Sequence, residues 1–214
     1  TNASEAMECP TLLNNGFGGH RIEGIGDKHI PWVHNVRHTD MVTAVRDEDC
    51  MRLLRLFNEP KGKESLLQSG LAKELVENLE LLGISSIANL LAAIKMAKYY
   101  EFNEDDVIFT CFTDSAGMYL SRLEELNSAH GTYTELKAAL DREAAIKAQS
   151  YDNLLELSYQ DKKRIHNLKY YTWVEQQGKT YEEILKQWEP EYWMETFENN
   201  LDELDRAIEE FNSL

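Results

Sequence analysis

The sequence predicts an α/β fold: a partial parallel sheet flanked by helices, followed by an all-helical C-terminal extension. Three observations carry this reading. Val107-Ile-Phe-Thr-Cys-Phe112 is nearly continuous in apolar and β-branched residues, the pattern of a central parallel strand covered on both faces. That run empties onto a helix expected from Ser115 to about Asn127, which makes a strand–turn–helix unit. After Gly131 no strand candidate remains, and residues 133–214 read as helices. The expected division is therefore residues 1–130 and residues 131–214.

Residues 8–38 read as loop, with Asn14-Asn-Gly-Phe-Gly-Gly19 and Gly24-Ile-Gly26 supplying positions that tolerate positive φ. A short strand is expected at Met41–Val45. Asp47 is placed to cap a helix from Glu48 to Phe57, where Met51, Leu53, Leu54 and Phe57 recur at helical spacing. Glu59-Pro-Lys-Gly62 breaks it, and a second helix is expected over about 63–81. Ser85 and Ser86 start a capped helix running through Ile87–Tyr100, with small residues at Ala88, Ala92, Ala93 and Ala97 for close packing. Asn103-Glu-Asp-Asp106 is a polar turn. Thr132-Tyr-Thr-Glu135 and Thr180-Tyr-Glu-Glu183 each match a capping box. So few strands sit uneasily with one as apolar as Val107–Phe112. Either further strands are hidden in the pattern or another polypeptide supplies its neighbours.

Composition narrows the function. The 214 residues allow one domain of ordinary size, or one domain with an appendage, and the hydrophobic share of 43% supports a core. A net charge of −16 disfavours nucleic acid and anionic membrane surfaces, both of which need clustered Lys and Arg. No apolar run reaches the roughly 18 residues of a membrane span. Cys9, Cys50 and Cys111 show no zinc or disulfide spacing, so reduced thiols in the cytoplasm are expected, with Cys111 a buried, inert one. The N-terminus lacks the regions of a signal peptide and begins without Met, so upstream sequence is expected to have been removed.

At the predicted strand end, Asp114 and Ser115 stand where open α/β sheets bind ligands, and the N–H groups of the next helix point into the same space. Ser115 can give or take one hydrogen bond there. It can equally be an ordinary N-cap, contributing about 1 kcal/mol. Gly24 and Gly26 allow close backbone approach to a ligand, or simply form a turn.

Four blocks, in order and in register, give the chain a family likeness. They are Gly19-His-Arg-Ile-Glu-Gly-Ile-Gly26 with Ile30-Pro31; Asp40–Val45 with Asp47-Glu48; Gly83-Ile-Ser-Ser86 with Ala88; and Thr113-Asp-Ser115 with Gly117, Tyr119 and Leu120. Together they resemble the C-terminal part of the fold-type-II pyridoxal-phosphate (PLP) enzymes, the cysteine synthase, threonine synthase and tryptophan synthase β group. Thr113, Ile87 and Ala116 depart from the usual pattern, which has Pro before the Asp-Ser pair, Gly in the Ser-Ser block and Gly after the Ser. The tail from 131 is similar to the long extension of a cysteine-synthase-like subgroup.

The resemblance implies a lyase or transferase that performs β-elimination or β-replacement on an amino acid, with pyridoxal 5'-phosphate as cofactor. It implies Ser115 at the pyridine nitrogen and Gly24, Gly26, Asp114 and Ser85 around the cofactor. It also implies that the covalent anchor, a lysine, lies in an N-terminal portion or companion subunit. This chain would then be half of a site, inactive alone and working as a homo- or hetero-oligomer. A non-catalytic regulatory or interaction module that retains the fold is the alternative. Lys28, beside Asp27 in a polar loop, is not expected to serve as the anchor. His20, His29, His34 and His38, with Asp40, are read as hydrogen-bonding loop residues rather than as a metal site.

Overall fold

A computed structural model describes residues 1–213. The chain divides into two compact units. One comprises 2–28 and 41–156; the other comprises residue 1, 29–40 and the stretch from 157 onward.

The first unit is built on a mixed three-stranded sheet in the order β1 (Asn2–Ala6), β2 (Met41–Val45), β3 (Leu154–Glu156). β1 and β2 are parallel, with Asn2 opposite Met41 and Ala6 opposite Val45. β3 runs antiparallel, with Thr43 opposite Leu154. The central strand is thus β2, and all five of its residues are buried. Its composition, Met-Val-Thr-Ala-Val, is what burial on both faces requires. Glu5 on β1 is buried, and its carboxylate accepts the backbone N–H groups of Leu12 at 2.9 Å and Leu13 at 2.8 Å, at the start of the short helix α1 (Thr11–Asn14).

Helices follow in sequence: α2 (Asp47–Asn58), α3 (Pro60–Gln68), α4 (Lys73–Asn78) and α5 (Ile84–Tyr99). The core gathers Leu53, Leu54 and Leu56 of α2, Ile84, Ile87 and Leu91 of α5, and Val45 of β2, all fully buried. After a 3-10 turn at Ala116–Tyr119 come α6 (Leu120–His130) and α7 (Glu135–Arg142), the latter continuing into a π turn at Glu143–Lys147.

Several expectations need correcting here. Val107–Phe112 is no strand: it pairs with no strand among the described residues, and Val107 and Phe109 are 90% and 91% exposed. The composition suits a buried strand, but a strand is made by its neighbours, and this sheet ends at β1 and β3. β1 was hidden because Asn2-Ala-Ser-Glu-Ala6 carries no β-branched residue. β3 shows that residues 131–214 are not all helical; three residues are too few for a period to register, and the turn before it is set by Asn153 at φ 55°. The helix expected over 63–81 is split by Gly70 at φ 94°. Asp47 is the first residue of α2 and not its cap, a position that falls to Arg46, and its carboxylate accepts the backbone N–H of Arg21 at 2.5 Å. The cap of α7 is Thr134, not Thr132.

The second unit is helical: α8 (Tyr159–Asn167), a π turn at Tyr170–Val174, α9 (Tyr181–Lys186), α10 (Pro190–Trp193), another π turn at Met194–Glu198, and α11 (Leu201–Asn212). The expected Thr180/Glu183 capping box is present, and Ser158/Asp161 forms a second.

Candidate functional site

The Asp114-Ser115 pair and the Ser85-Ser86 pair meet at the N-terminus of α5. Gly83 N–H donates to the Asp114 carbonyl at 2.9 Å. The Ser86 hydroxyl donates to the same carbonyl at 3.3 Å and accepts the Thr113 N–H at 3.2 Å. The Ser85 hydroxyl lies 3.1 Å from that of Thr113 and 3.4 Å from Oδ1 of Asp114. The two serines therefore do not cap α5; they stitch 113–114 to its first turn. Tyr119 donates its hydroxyl to Oδ2 of Asp114, and burial, reinforced by that carboxylate, pushes the phenol well above its ordinary pKa.

Ser115 follows in extended conformation, φ −120° and ψ 161°, and is half-buried. Its carbonyl accepts the Met118 N–H at 3.1 Å, so it occupies the cap position of the 3-10 turn. Its hydroxyl makes no capping bond. The ordinary N-cap role is thus absent from its side chain.

Gly24 sits at φ 92°, a conformation that favours glycine, and a Cβ there would lie 3.7 Å from both Cβ and Oγ of Ser85. Gly24 thus faces Ser85, whose hydroxyl lies beside the Asp114 carboxylate, with Ser115 the next residue along. Arg122 on α6 secures the loop through an ion pair with Glu23 at 3.1 Å. Gly26, at φ 83°, is placed differently: a Cβ there would meet Ala6 at 2.9 Å and the His20 ring at 3.1 Å. Gly24 and Gly26 both border an open cavity of about 500 Å³, shared with Cys9, His20 and Lys28. Ser85, Asp114 and Ser115 do not line that cavity. In the preceding loop, a Cβ on Gly18 would fall 2.6 Å from the Glu8 carbonyl, so close packing accounts for that glycine.

Gly83 and Tyr119, which stand in the resemblance blocks without a role assigned from sequence, are positioning residues. Gly83, two residues before Ser85, was the available signal. Cys111 is exposed, contrary to expectation, because its segment lies outside the sheet; Cys9 and Cys50 are buried. Among the described residues no group of three or more His, Cys, Asp or Glu is placed to hold a metal ion.

The helical unit holds its own buried polar cluster. Lys169 is fully buried and donates to the carbonyls of Trp32 and His34, each at 2.9 Å, and to Oε1 of Gln187 at 2.6 Å. Burial pushes its ammonium down to about 7. His34 and His166 are each held at about 4, first by burial, with the Lys169 charge adding to it. His166 donates Nε2–H to the Ile184 carbonyl at 2.9 Å.

An α/β unit whose glycine loop, paired serines and Asp-Ser segment converge at one helix start is the class defined so far, and the likeness to part of a fold-type-II PLP enzyme rests on these same blocks. Two curated relatives make the likeness specific. Over 117 residues the chain is 33% identical to cysteine synthase B of Campylobacter jejuni, covering 55% of this chain and 32% of that protein. Over 113 residues it is 34% identical to the O-acetylserine dependent cystathionine beta-synthase of Bacillus subtilis, covering 52% of this chain and 31% of that protein. The chain thus spans about a third of the length of these relatives. No family model matches it, and no solved structure does.

Proposed function

We propose that residues 1–130 are the C-terminal portion of a PLP-dependent, cysteine synthase-like enzyme, and that residues 131–214 are an appended extension. The reaction is β-elimination or β-replacement on an amino acid with a β-leaving group, such as an acylated serine. The observation that carries this is the convergence of Gly24, Ser85 and Asp114 beside a Ser115 hydroxyl that its own turn does not use.

These residues fit the ring-facing side of the cofactor. Ser115 offers one hydrogen bond to the pyridine nitrogen. A hydroxyl there would only share a hydrogen bond with the nitrogen and would leave the ring less electron-withdrawing than a carboxylate would, which suits reactions in which the leaving group carries away the electrons. When bound, PLP supplies the electron sink. Asp114 contributes by fixing Ser115: its carboxylate is held by Tyr119, Ser85 and Ser86. Gly24 would let backbone approach the ring without a side chain between, while Gly26, packed against Ala6 and His20, would shape the same loop.

The anchoring lysine belongs, in this reading, to an N-terminal portion or companion subunit of the same cytoplasmic, oligomeric enzyme. The exposure of Val107, Phe109 and Phe112 supports a missing neighbour, since a segment so apolar is otherwise left in water. Mixing the chain with the lysine-bearing portion of C. jejuni cysteine synthase B, with PLP and O-acetylserine, tests the proposal. Activity that needs both pieces is expected. A stable but colourless and inactive complex contradicts it and favours an interaction module.

A further inference from the structure

α11 leaves one face uncovered. Leu201, Leu204, Ile208 and Phe211 are 55%, 47%, 56% and 76% exposed, and no residue of the helix is buried. Their 3-4-3 spacing puts them on one stripe, the seam of a helix that packs against another helix. Met194 and Phe197, also exposed, continue the same spacing upstream. The stripe is set in acid: Asp202, Glu203, Asp205, Glu209 and Glu210 share the helix, and Arg206 is the sole basic residue from Gln187 to Ser213.

The geometry points to this stripe as a docking face for a Lys/Arg-rich amphipathic helix of a partner protein. Charge decides among the occupants. A second copy would bring two acidic helices together, each on a chain of net charge −16. An anionic lipid surface is repelled for the same reason. A basic helix covers the apolar stripe and pairs with its acidic border, the helix-in-groove mode of recognition. Four side chains make a small interface, so binding is weak and salt-sensitive.

The test is calorimetric titration of the full chain with a synthetic helical peptide carrying Leu at heptad a and d positions and Lys elsewhere. Binding is expected at low salt. It should fall about ten-fold or more in the double variant Leu204→Gln/Ile208→Gln, which alters only exposed side chains and keeps every charge. A scrambled peptide of the same composition and a Leu/Glu counterpart should not bind. Equal binding of the scrambled peptide, or unchanged affinity of the double variant, reduces the effect to bulk charge and overturns the inference. So does sedimentation of the chain alone as a dimer that the double variant dissociates, because a second copy then covers the face.

Discussion

Gly83 and Asp114 meet so closely that a Cβ on Gly83 would fall 2.1 Å from the Asp114 carboxylate oxygen. The carboxylate cannot step aside without leaving Tyr119, Ser85 and Ser86. Gly83→Ala should therefore destabilise the α/β unit by about 1–3 kcal/mol. It should also loosen the segment carrying Ser115. Urea unfolding followed by far-UV circular dichroism checks the first effect, and faster amide exchange over 113–116 checks the second.

Ser115→Ala should behave in the opposite way. The hydroxyl makes no capping bond, so the chain's stability should change by less than about 0.5 kcal/mol. In the complete enzyme, PLP affinity should fall by about ten- to a hundred-fold, the loss of one hydrogen bond of about 1–3 kcal/mol. Equilibrium dialysis of cofactor against wild type and variant separates the two expectations.

Acid should loosen the helical unit before the α/β unit. His34 and His166 are held at about 4 in the fold and return to about 6.5 when unfolded. Between those values the unfolded chain binds more protons, so the histidines' share of stability is full above pH 6.5 and falls as pH drops toward 4, below the range from 10.5 to about 7 in which Lys169 has its own effect. At pH 5 the loss is about 2 kcal/mol per histidine. Trp32, Trp173, Trp188 and Trp193 all lie in this unit, so tryptophan fluorescence reports it alone. His166→Gln should remove about half of the pH dependence.

A second acid transition belongs to the sheet. Lys95, 2% exposed, donates to the carbonyl of Asp152 at 2.8 Å and to its Oδ1 at 2.7 Å, just before β3. The Lys95 bond, then that of Ser150, holds the Asp152 carboxyl at about 2. The stabilisation is present above the ordinary carboxylate pKa near 4 and is lost as pH falls through 2. Asp152 is part-exposed, so Lys95→Met should cost only about 1 kcal/mol at pH 7. It should also flatten the acid limb below pH 4 in circular dichroism melts.

The sequence revealed what depends on local chemistry. Met41–Val45, the helix expected over Glu48–Phe57 and the Thr180 box were legible, because burial, caps and spacing leave a trace within a few residues, whereas Ser85 and Asp114 were brought together only by the family resemblance. What depends on neighbours was not. Val107–Phe112 has a strand's composition and no strand beside it. Asn2–Ala6 has little of that composition, yet pairs along its whole length with β2. The role of the serines was misread for the same reason: their hydroxyls turn to a segment nearly thirty residues away rather than to their own helix.

Borohydride reduction with PLP, followed by peptide mass mapping, tests most directly whether this chain supplies only the ring-facing side of a cofactor site. With the lysine-bearing partner present, the pyridoxyl adduct should form on the partner, and Ser115→Ala should reduce its yield. A stoichiometric adduct on a lysine of this chain alone would contradict the account.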